Sequence, residues 1–204
     1  MDKKLQGREG PVLGIRSSVE LFEKLKFEGV RLGTEWHPYD AFNFVLTAWH
    51  LYHDWLPADR VNRPRHARAK LNKGKLPDEM VLVLDVLRDL SNGSKHLNLD
   101  PGNASKRVIS ATHSGKISNA WAYYFQERIV GVTTADYYYF SIRKLRDITL
   151  AYFAWVFDDK APAAPFPGDL LWTIWRCAPK NRSKDAVPPP GALPGEKGDP
   201  EFVV

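Results

Sequence analysis

The amino-acid sequence predicts a mainly α-helical fold: a bundle of about four long helices with a small inserted antiparallel β-hairpin or meander. Apolar residues recur at intervals of three and four in four long segments, which is the pattern of amphipathic helices. Residues 107–134 differ, because they are rich in β-branched and aromatic residues and are interrupted by Gly115 and Gly131. That composition is typical of short strands joined by turns. The strands are therefore expected between the third and the fourth helix.

The first two helices are predicted in the N-terminal third of the chain. The first is expected to begin at Ser17 or Ser18, either of which can cap it, and to end near Gly33. The second, residues 39–56, is the most aromatic segment of the chain, and Pro57 is expected to end it. Much of this second helix should therefore be buried.

The third and fourth helices follow after a polar connector. Pro77 and Asp78 open the third helix, whose apolar stripe leads into Ser91 and Ser94. The fourth is expected over residues 135–157. A short apolar segment, residues 170–175, is expected to dock onto the bundle.

Composition bounds the domain organisation. The chain has 204 residues, of which 44% are hydrophobic, and this is enough for one substantial core. Seven Trp, eight Tyr and ten Phe indicate a packed domain rather than a disordered chain. We expect a polar N-terminal segment at 1–16, a single helical domain at 17–177, and a Pro-rich flexible tail at 178–204.

Charge and cysteine content limit the classes of function. A net charge of +5 is compatible with an anionic partner such as RNA. The single Cys177 excludes an intramolecular disulfide and a Cys-rich zinc site. The sequence shows neither an apolar leader nor a long apolar run, so we expect a cytoplasmic protein that does not enter a membrane. Phosphate-binding loops and nucleophile elbows are not recognisable either, and the sequence predicts no cofactor.

The end of the third helix offers the first candidate site. Arg88, Asp89, Asn92, Lys95 and His96 lie within nine positions. Metal-free RNA cleavage needs an imidazole as acid or base and cations to stabilise phosphate charge, while an amide can orient either group. Here His96 supplies the imidazole, Arg88 and Lys95 supply the cations, and Asn92 supplies the amide. Alternatively, they are solvated helix charges followed by cations at a helix C-terminus, with Gly93 ending the helix.

A second cluster lies on the second helix. His50 and Asp54 are four residues apart with His53 beside them, and His37 and Asp40 stand at the helix entrance. The His50–Asp54 spacing can orient an imidazole, or it can provide two ligands to a metal that would need a third. An ordinary pair on the helix surface is the other interpretation. The basic connector, residues 60–70, is interpreted as a solvated loop that contains at most a short helix.

Two motifs carry a family resemblance. The helix-two sequence WHLYHDW, residues 49–55, and the helix-three sequence NGSKH, residues 92–96, resemble a group of uncharacterised bacterial proteins with WHLxxDW and NGxKH motifs. Arg88, Asp89 and His96 are also similar to the signature of the HEPN superfamily. That resemblance implies an α-helical, often dimeric domain, and many HEPN domains are metal-independent ribonucleases of toxin or phage-defence systems. It implies Arg88 and His96 as the catalytic pair and Asp89 as the adjacent polar residue.

The spacing of Arg88 and His96 bears on whether the domain acts on RNA or is a non-enzymatic interaction module. Seven residues lie between Arg88 and His96, whereas the superfamily has four to six. On an unbroken helix the two side chains point about 80° apart, and a bend at Gly93 would bring them together. Convergence favours a ribonuclease or RNA-binding protein, which we expect to form a homo-oligomer or to bind a partner protein. Divergence favours a non-enzymatic interaction module of a bacterial or phage defence assembly.

Overall fold

The computed structural model describes residues 14–34, 37–95, 107–114, 130–159, 165–183 and 185–194. Over these residues the fold is mainly α-helical with a small antiparallel sheet, which confirms the predicted fold class. Within the same ranges, no helix combines the length and the apolar character needed to cross a membrane.

The N-terminal helices form an antiparallel pair that continues into an irregular turn. Helix α1 spans Ser18–Thr34 and α2 spans Pro38–His50. A π-helical turn, Leu51–Trp55, and a short α3, Leu56–Ala58, extend α2. The prediction that this helix stops at Pro57 is wrong by two residues. In the π-turn the Leu56 amide bonds to the Leu51 carbonyl instead of the Tyr52 carbonyl, so Pro57 follows a turn whose hydrogen bonds already depart from the α-helical pattern.

The basic connector, residues 60–70, contains the short helix that the prediction allowed: α4, Ala67–Lys70. A 3₁₀ turn, Lys73–Lys75, follows the connector. Ala67 and Lys70 are buried, so the interpretation of the whole segment as a solvated loop is wrong. The Lys70 ammonium donates to the carbonyls of Trp155 and Asp158, each at 2.7 Å. A cation is favourable there because unpaired carbonyls collect at a helix C-terminus.

Helix α5, Asp78–Lys95, follows the connector and leads to the sheet. Strands β1, Ile109–Ser114, β2, Val130–Thr134, and β3, Tyr139–Ser141, pair antiparallel in the order β1-β2-β3. The sheet is therefore a meander, one of the two predicted forms.

The last long helix begins later than predicted. Helix α6 spans Ile142–Phe157, so its predicted start at 135 is wrong, because residues 139–141 form β3. Ser141 caps α6 by accepting a hydrogen bond from the Lys144 amide at 3.1 Å. The apolar segment predicted to dock is α7, Gly168–Trp175, and it packs against α5 and α6.

The core lies where α1, α2, α5 and α6 meet, and α7 and the sheet extend it. Its largest fully buried side chains are aromatic: Phe44, Phe140, Tyr152 and Phe153. Contacts continue past Cys177 into the segment predicted as a tail. Pro179–Arg182 forms a 3₁₀ turn, and the Leu193 amide donates to the Gly168 carbonyl at 2.9 Å.

Asp59 connects the end of α3 to the start of α1. One carboxylate oxygen accepts hydrogen bonds from the Ser18 amide at 2.7 Å and the Ser18 hydroxyl at 2.9 Å, and the other accepts from Asn62. Partial burial acts to raise the pKa of Asp59, but these hydrogen bonds outweigh it and hold the pKa below its ordinary value.

This pairing predicts an acid-sensitive contribution to stability. Since the pKa of Asp59 is lower in the folded than in the unfolded chain, the contribution is complete above the unfolded value and is lost as the pH falls through the folded value. Asp59→Asn is expected to flatten the decline of unfolding free energy below about pH 4. Urea titrations of both proteins between pH 3 and 7 measure the effect. If the unfolding free energies of the two proteins fell equally as the pH was lowered, this prediction would be contradicted.

Candidate functional site

Arg88 lies in a network of carboxylates on α5. Its guanidinium donates to one oxygen of Asp89 through Nε at 3.0 Å and Nη2 at 2.8 Å, and to Asp85 through Nη1 at 3.0 Å. The Lys73 ammonium contacts the same Asp85 oxygen at 2.7 Å. The charge of Arg88 is therefore balanced by two neighbours. Sequence reasoning missed Asp85, although its place three residues before Arg88 is a standard spacing for a helical ion pair.

Asp89 joins this network to the sheet. Its second oxygen accepts hydrogen bonds from the backbone amides of Val108 at 2.7 Å and Ile109 at 3.4 Å, where β1 begins. Only 7% of its side chain is exposed. The residue that the resemblance implies as the polar neighbour of a catalytic arginine thus fixes a strand to a helix.

The rest of the helix-three motif is only partly visible. Helix α5 runs through Gly93 to Lys95, so the alternative in which Gly93 ends the helix is wrong. Asn92 is exposed, and Lys95 is the last residue of α5 that the structure describes. His96 lies outside the described residues. The structure therefore shows α5 unbroken at Gly93, without placing the imidazole that would complete the predicted pair.

The two residues at the entrance of α2 have local partners. His37 is the N-cap residue, and its Nδ1 accepts a hydrogen bond from the Tyr39 amide at 3.2 Å. Asp40 pairs with Arg31 of α1 at 2.9 Å, and 15% of its side chain is exposed. The first arrangement caps the start of α2, and the second joins α2 to α1.

His50, His53 and Asp54 form a hydrogen-bonded group, which we call the imidazole pair. Nδ1 of His50 lies 2.5 Å from one Asp54 oxygen, and Nδ1 of His53 lies 2.8 Å from the other. The His53 ring also stacks on Trp49, with 5.0 Å between the centroids. Both imidazoles reach solvent, with side chains 38% and 60% exposed.

Asp54 is the anion of this group. Partial burial acts to raise the pKa of Asp54, but hydrogen bonds from His53 and His50, and their charges, lower it below its ordinary value. The carboxylate therefore stays ionised at neutral pH and orients both rings through Nδ1. The described part of the chain contains no cluster of three or more His, Cys, Asp or Glu side chains suited to a metal ion.

The connector forms a basic concavity that the sequence analysis did not predict. This arginine cavity has a volume of about 570 Å³ and is lined by residues of α3, the connector and the end of α4: Pro57, Arg60, Arg63, Arg68, Leu71 and Asn72. None of these described lining residues is acidic. The available signal was the spacing of arginines at 60, 63 and 68, which the loop interpretation treated as scattered surface charge.

One arginine of the cavity is fixed by the backbone. Nη1 of Arg63 donates to the carbonyls of Leu56 at 3.2 Å and Pro57 at 3.0 Å. These carbonyls lie at the end of the composite helix, where acceptors are unpaired. Arg60 and Arg68 are exposed, and within the described ranges neither pairs with a carboxylate.

A smaller apolar groove lies between α2, α5 and the sheet. It has a volume of about 260 Å³, and Pro38, Phe42, Leu90, Val132 and Phe140 are among the residues that line it. Phe42 is 41% exposed at its edge. A groove of this kind accepts an apolar side chain, which is the chemistry that an interaction module would use.

Comparison with known proteins supplies no relative for this chain. No family model, no curated protein and no solved structure matches it. The HEPN resemblance of the α5 motif therefore stays a prediction, and a function has to be argued from the geometry of the site.

Proposed function

We propose that this protein binds RNA, and that the arginine cavity holds the RNA backbone. The observation that carries the proposal is the convergence of Arg60, Arg63 and Arg68 on one cavity whose described lining includes no acidic residue. A guanidinium group is planar and matches phosphate with two parallel hydrogen bonds. Three of them in one concavity form a site for an anion larger than a simple ion.

The local charge supports this assignment. Residues 60–75 contain seven Arg and Lys and no Asp or Glu. Lys70 is used to cap α6, and Lys73 contacts Asp85. Arg60 and Arg68 therefore supply positive charge that no described carboxylate neutralises, in contrast to Arg88.

The size and polarity of the cavity suit a nucleotide unit. Its volume lies within the range of sites that enclose small organic ligands. Asn72 adds an amide group, and Pro57 and Leu71 add apolar wall against which a sugar or a base can pack. A phosphate held by the arginines would thus leave the adjoining nucleoside in contact with protein.

Removing the two exposed arginines should weaken RNA binding. We expect the double variant Arg60→Gln/Arg68→Gln to bind a single-stranded RNA of about 20 nucleotides roughly tenfold or more weakly at low salt. The slope of log K against log salt concentration should fall by about 0.7 for each phosphate that the variant no longer neutralises. Fluorescence anisotropy with end-labelled RNA at several salt concentrations measures both quantities.

Arg65→Gln is the matched control, because Arg65 is exposed on the same connector and does not line the cavity. It should retain nearly the affinity of the unmodified protein. Equal affinities for the double variant and this control would show that the cavity does not bind RNA. A DNA strand of the same sequence, measured in parallel, tests whether the 2′-hydroxyl contributes to recognition.

A further inference from the structure

The imidazole pair lies one turn before the arginine cavity on the same helix. His53 is four residues before Pro57, which forms part of the cavity wall. Residues separated by four positions are neighbours on a helix surface, with about 5–6 Å between their Cβ atoms. His53 and Pro57, which forms part of the wall of the arginine cavity, thus lie on adjacent turns of one helix.

The hydrogen bonds of the pair leave the same ring atom available on each histidine. Asp54 occupies Nδ1 of both rings, so Nε2 is the atom that each ring offers to a bound molecule. A carboxylate on Nδ1 fixes the orientation of the ring. Two rings held in this way can serve as acid and base in one reaction.

We propose that the imidazole pair cleaves RNA held in the arginine cavity, with one of His50 and His53 acting as general base and the other as general acid. This inference rests on the RNA binding proposed above. The catalytic residues would be the two histidines, with Asp54 as a positioning residue. The guanidinium groups would stabilise the charge that develops on phosphorus.

The reaction is an internal transesterification and needs no co-reactant. Nε2 of the neutral imidazole removes the proton of a 2′-hydroxyl, and the 2′-oxygen forms a bond to the adjacent phosphorus. The bond between phosphorus and the 5′-oxygen breaks, and the protonated imidazole gives its Nε2 proton to that leaving oxygen. The products are a 2′,3′-cyclic phosphate and a free 5′-hydroxyl, with no oxidation or reduction.

This assignment differs from the one that the α5 motif suggests. The guanidinium of Arg88 hydrogen-bonds two carboxylates, and Asp89 is engaged with β1. Arg60, Arg63 and Arg68 instead line a cavity whose described residues include no carboxylate. The proposal thus assigns to residues 50–54 the chemistry that the resemblance implies for His96.

The charged groups around the pair determine the pH dependence. Asp54 contacts both rings on their own helix, and Lys24 and Glu28 of α1 approach this helix at Thr47, three residues before His50. Pro57, four residues after His53, belongs to the wall of the arginine cavity. Because one ring must be neutral and the other protonated, kcat/KM is expected to follow a bell-shaped curve against pH.

The test uses the full-length protein, chelator and a 20-nucleotide RNA with defined ends. We expect cleavage products ending in a 2′,3′-cyclic phosphate, and no cleavage of an all-2′-deoxy strand. His50→Gln and His53→Gln should each lower kcat by about 10²- to 10⁴-fold while RNA binding is retained. His113→Gln is the matched control, because it removes an exposed imidazole from β1. The thermal midpoint of each variant verifies that it is folded.

Asp54→Asn provides a readout that a purely structural role would not move. This variant keeps both imidazoles but replaces one of the two carboxylate oxygens that orient them with an amide nitrogen. We expect kcat to fall while KM is retained, because in the proposed complex Asp54 orients the rings and does not contact the RNA. An unchanged kcat would overturn the positioning role.

The outcomes separate the two proposals. RNA that binds through the arginines but is not cleaved would overturn the imidazole pair as a catalyst and leave RNA binding intact. Absence of binding would overturn both. Cleavage that persists in the double variant His50→Gln/His53→Gln and disappears in His96→Ala would overturn this inference and assign the chemistry to the α5 motif.

Discussion

Replacement of Asp89 by alanine is expected to lower the free energy of unfolding by about 3 kcal/mol. Its carboxylate accepts hydrogen bonds from the Arg88 guanidinium and from the amides of Val108 and Ile109, and it is almost fully buried. Alanine would leave the strand amides without an acceptor and Arg88 with Asp85 as a remaining partner. Breaking a buried ion pair by removing one partner costs about 3–5 kcal/mol. We expect the lower value here, because the Arg88 side chain is 26% exposed.

Urea denaturation followed by circular dichroism measures this change. Asp136→Ala is a suitable control, because Asp136 is exposed in the turn between β2 and β3 and its loss should cost less than about 0.5 kcal/mol. Asp89→Asn should fall between the two, since an amide oxygen can still accept from the strand. If the alanine variant were as stable as the unmodified protein, the structural role of the Arg88–Asp89 pair would be refuted.

This result bears on how activity data should be interpreted. A loss of RNA cleavage in an Arg88 or Asp89 variant would follow from unfolding as readily as from a missing catalytic group. The variants of His50 and His53 are better probes, since their side chains are exposed and the loss of either removes little packing. Stability and activity therefore have to be measured on the same preparations.

Local patterns predicted the long helices because each carries its apolar stripe in consecutive sequence. Helix α5 is the clearest case: Met80, Val83, Leu84 and Leu87 recur at helical spacing, and all four are fully buried. The start of α6 was missed for a different reason. Residues 139–141 also fit helical spacing, but pairing with β2 holds them extended, and Tyr137 has a φ of 64° just before them. Pairing across a sheet overrides local propensity.

The connector shows a second limit of local reasoning. Lys70 is buried because its ammonium reaches carbonyls 85 and 88 residues further along the chain. Nothing within the connector signals that contact. The arginine cavity does have a local signal in the spacing of Arg60, Arg63 and Arg68, but its concave shape depends on the packing of α4 beside α3.

Among the candidate site residues, too, contacts within one helix could be predicted from the sequence, and contacts between distant segments could not. The spacing of four between His50 and Asp54 brought these side chains within reach, and the structure contains their hydrogen bond. The partners of Asp89, by contrast, lie 19 and 20 residues away at the start of β1. Sequence spacing predicts contacts within one helix, whereas the role of a residue such as Asp89 depends on which strand the fold brings to it.

Replacement of Phe140 by alanine is expected to have the largest effect on stability, a loss of about 3–5 kcal/mol. Phe140 is fully buried, pairs with Val132 across the sheet and stacks on Tyr138 with 6.0 Å between ring centroids. Alanine would leave a cavity beneath the sheet, next to the apolar groove that this ring lines. Urea denaturation measures the loss, and Tyr137→Ala, at a side chain 75% exposed, provides the comparison.

The same variant tests whether the arginine cavity folds independently of the sheet. The cavity is lined by residues 57–72, none of which belongs to β1, β2 or β3. Below its own unfolding transition, Phe140→Ala should therefore bind RNA with the affinity of the unmodified protein. Loss of binding from a sample that is still folded by circular dichroism would contradict this expectation. It would mean that packing beneath the sheet positions the guanidinium groups, and that the cavity and the sheet act as one unit.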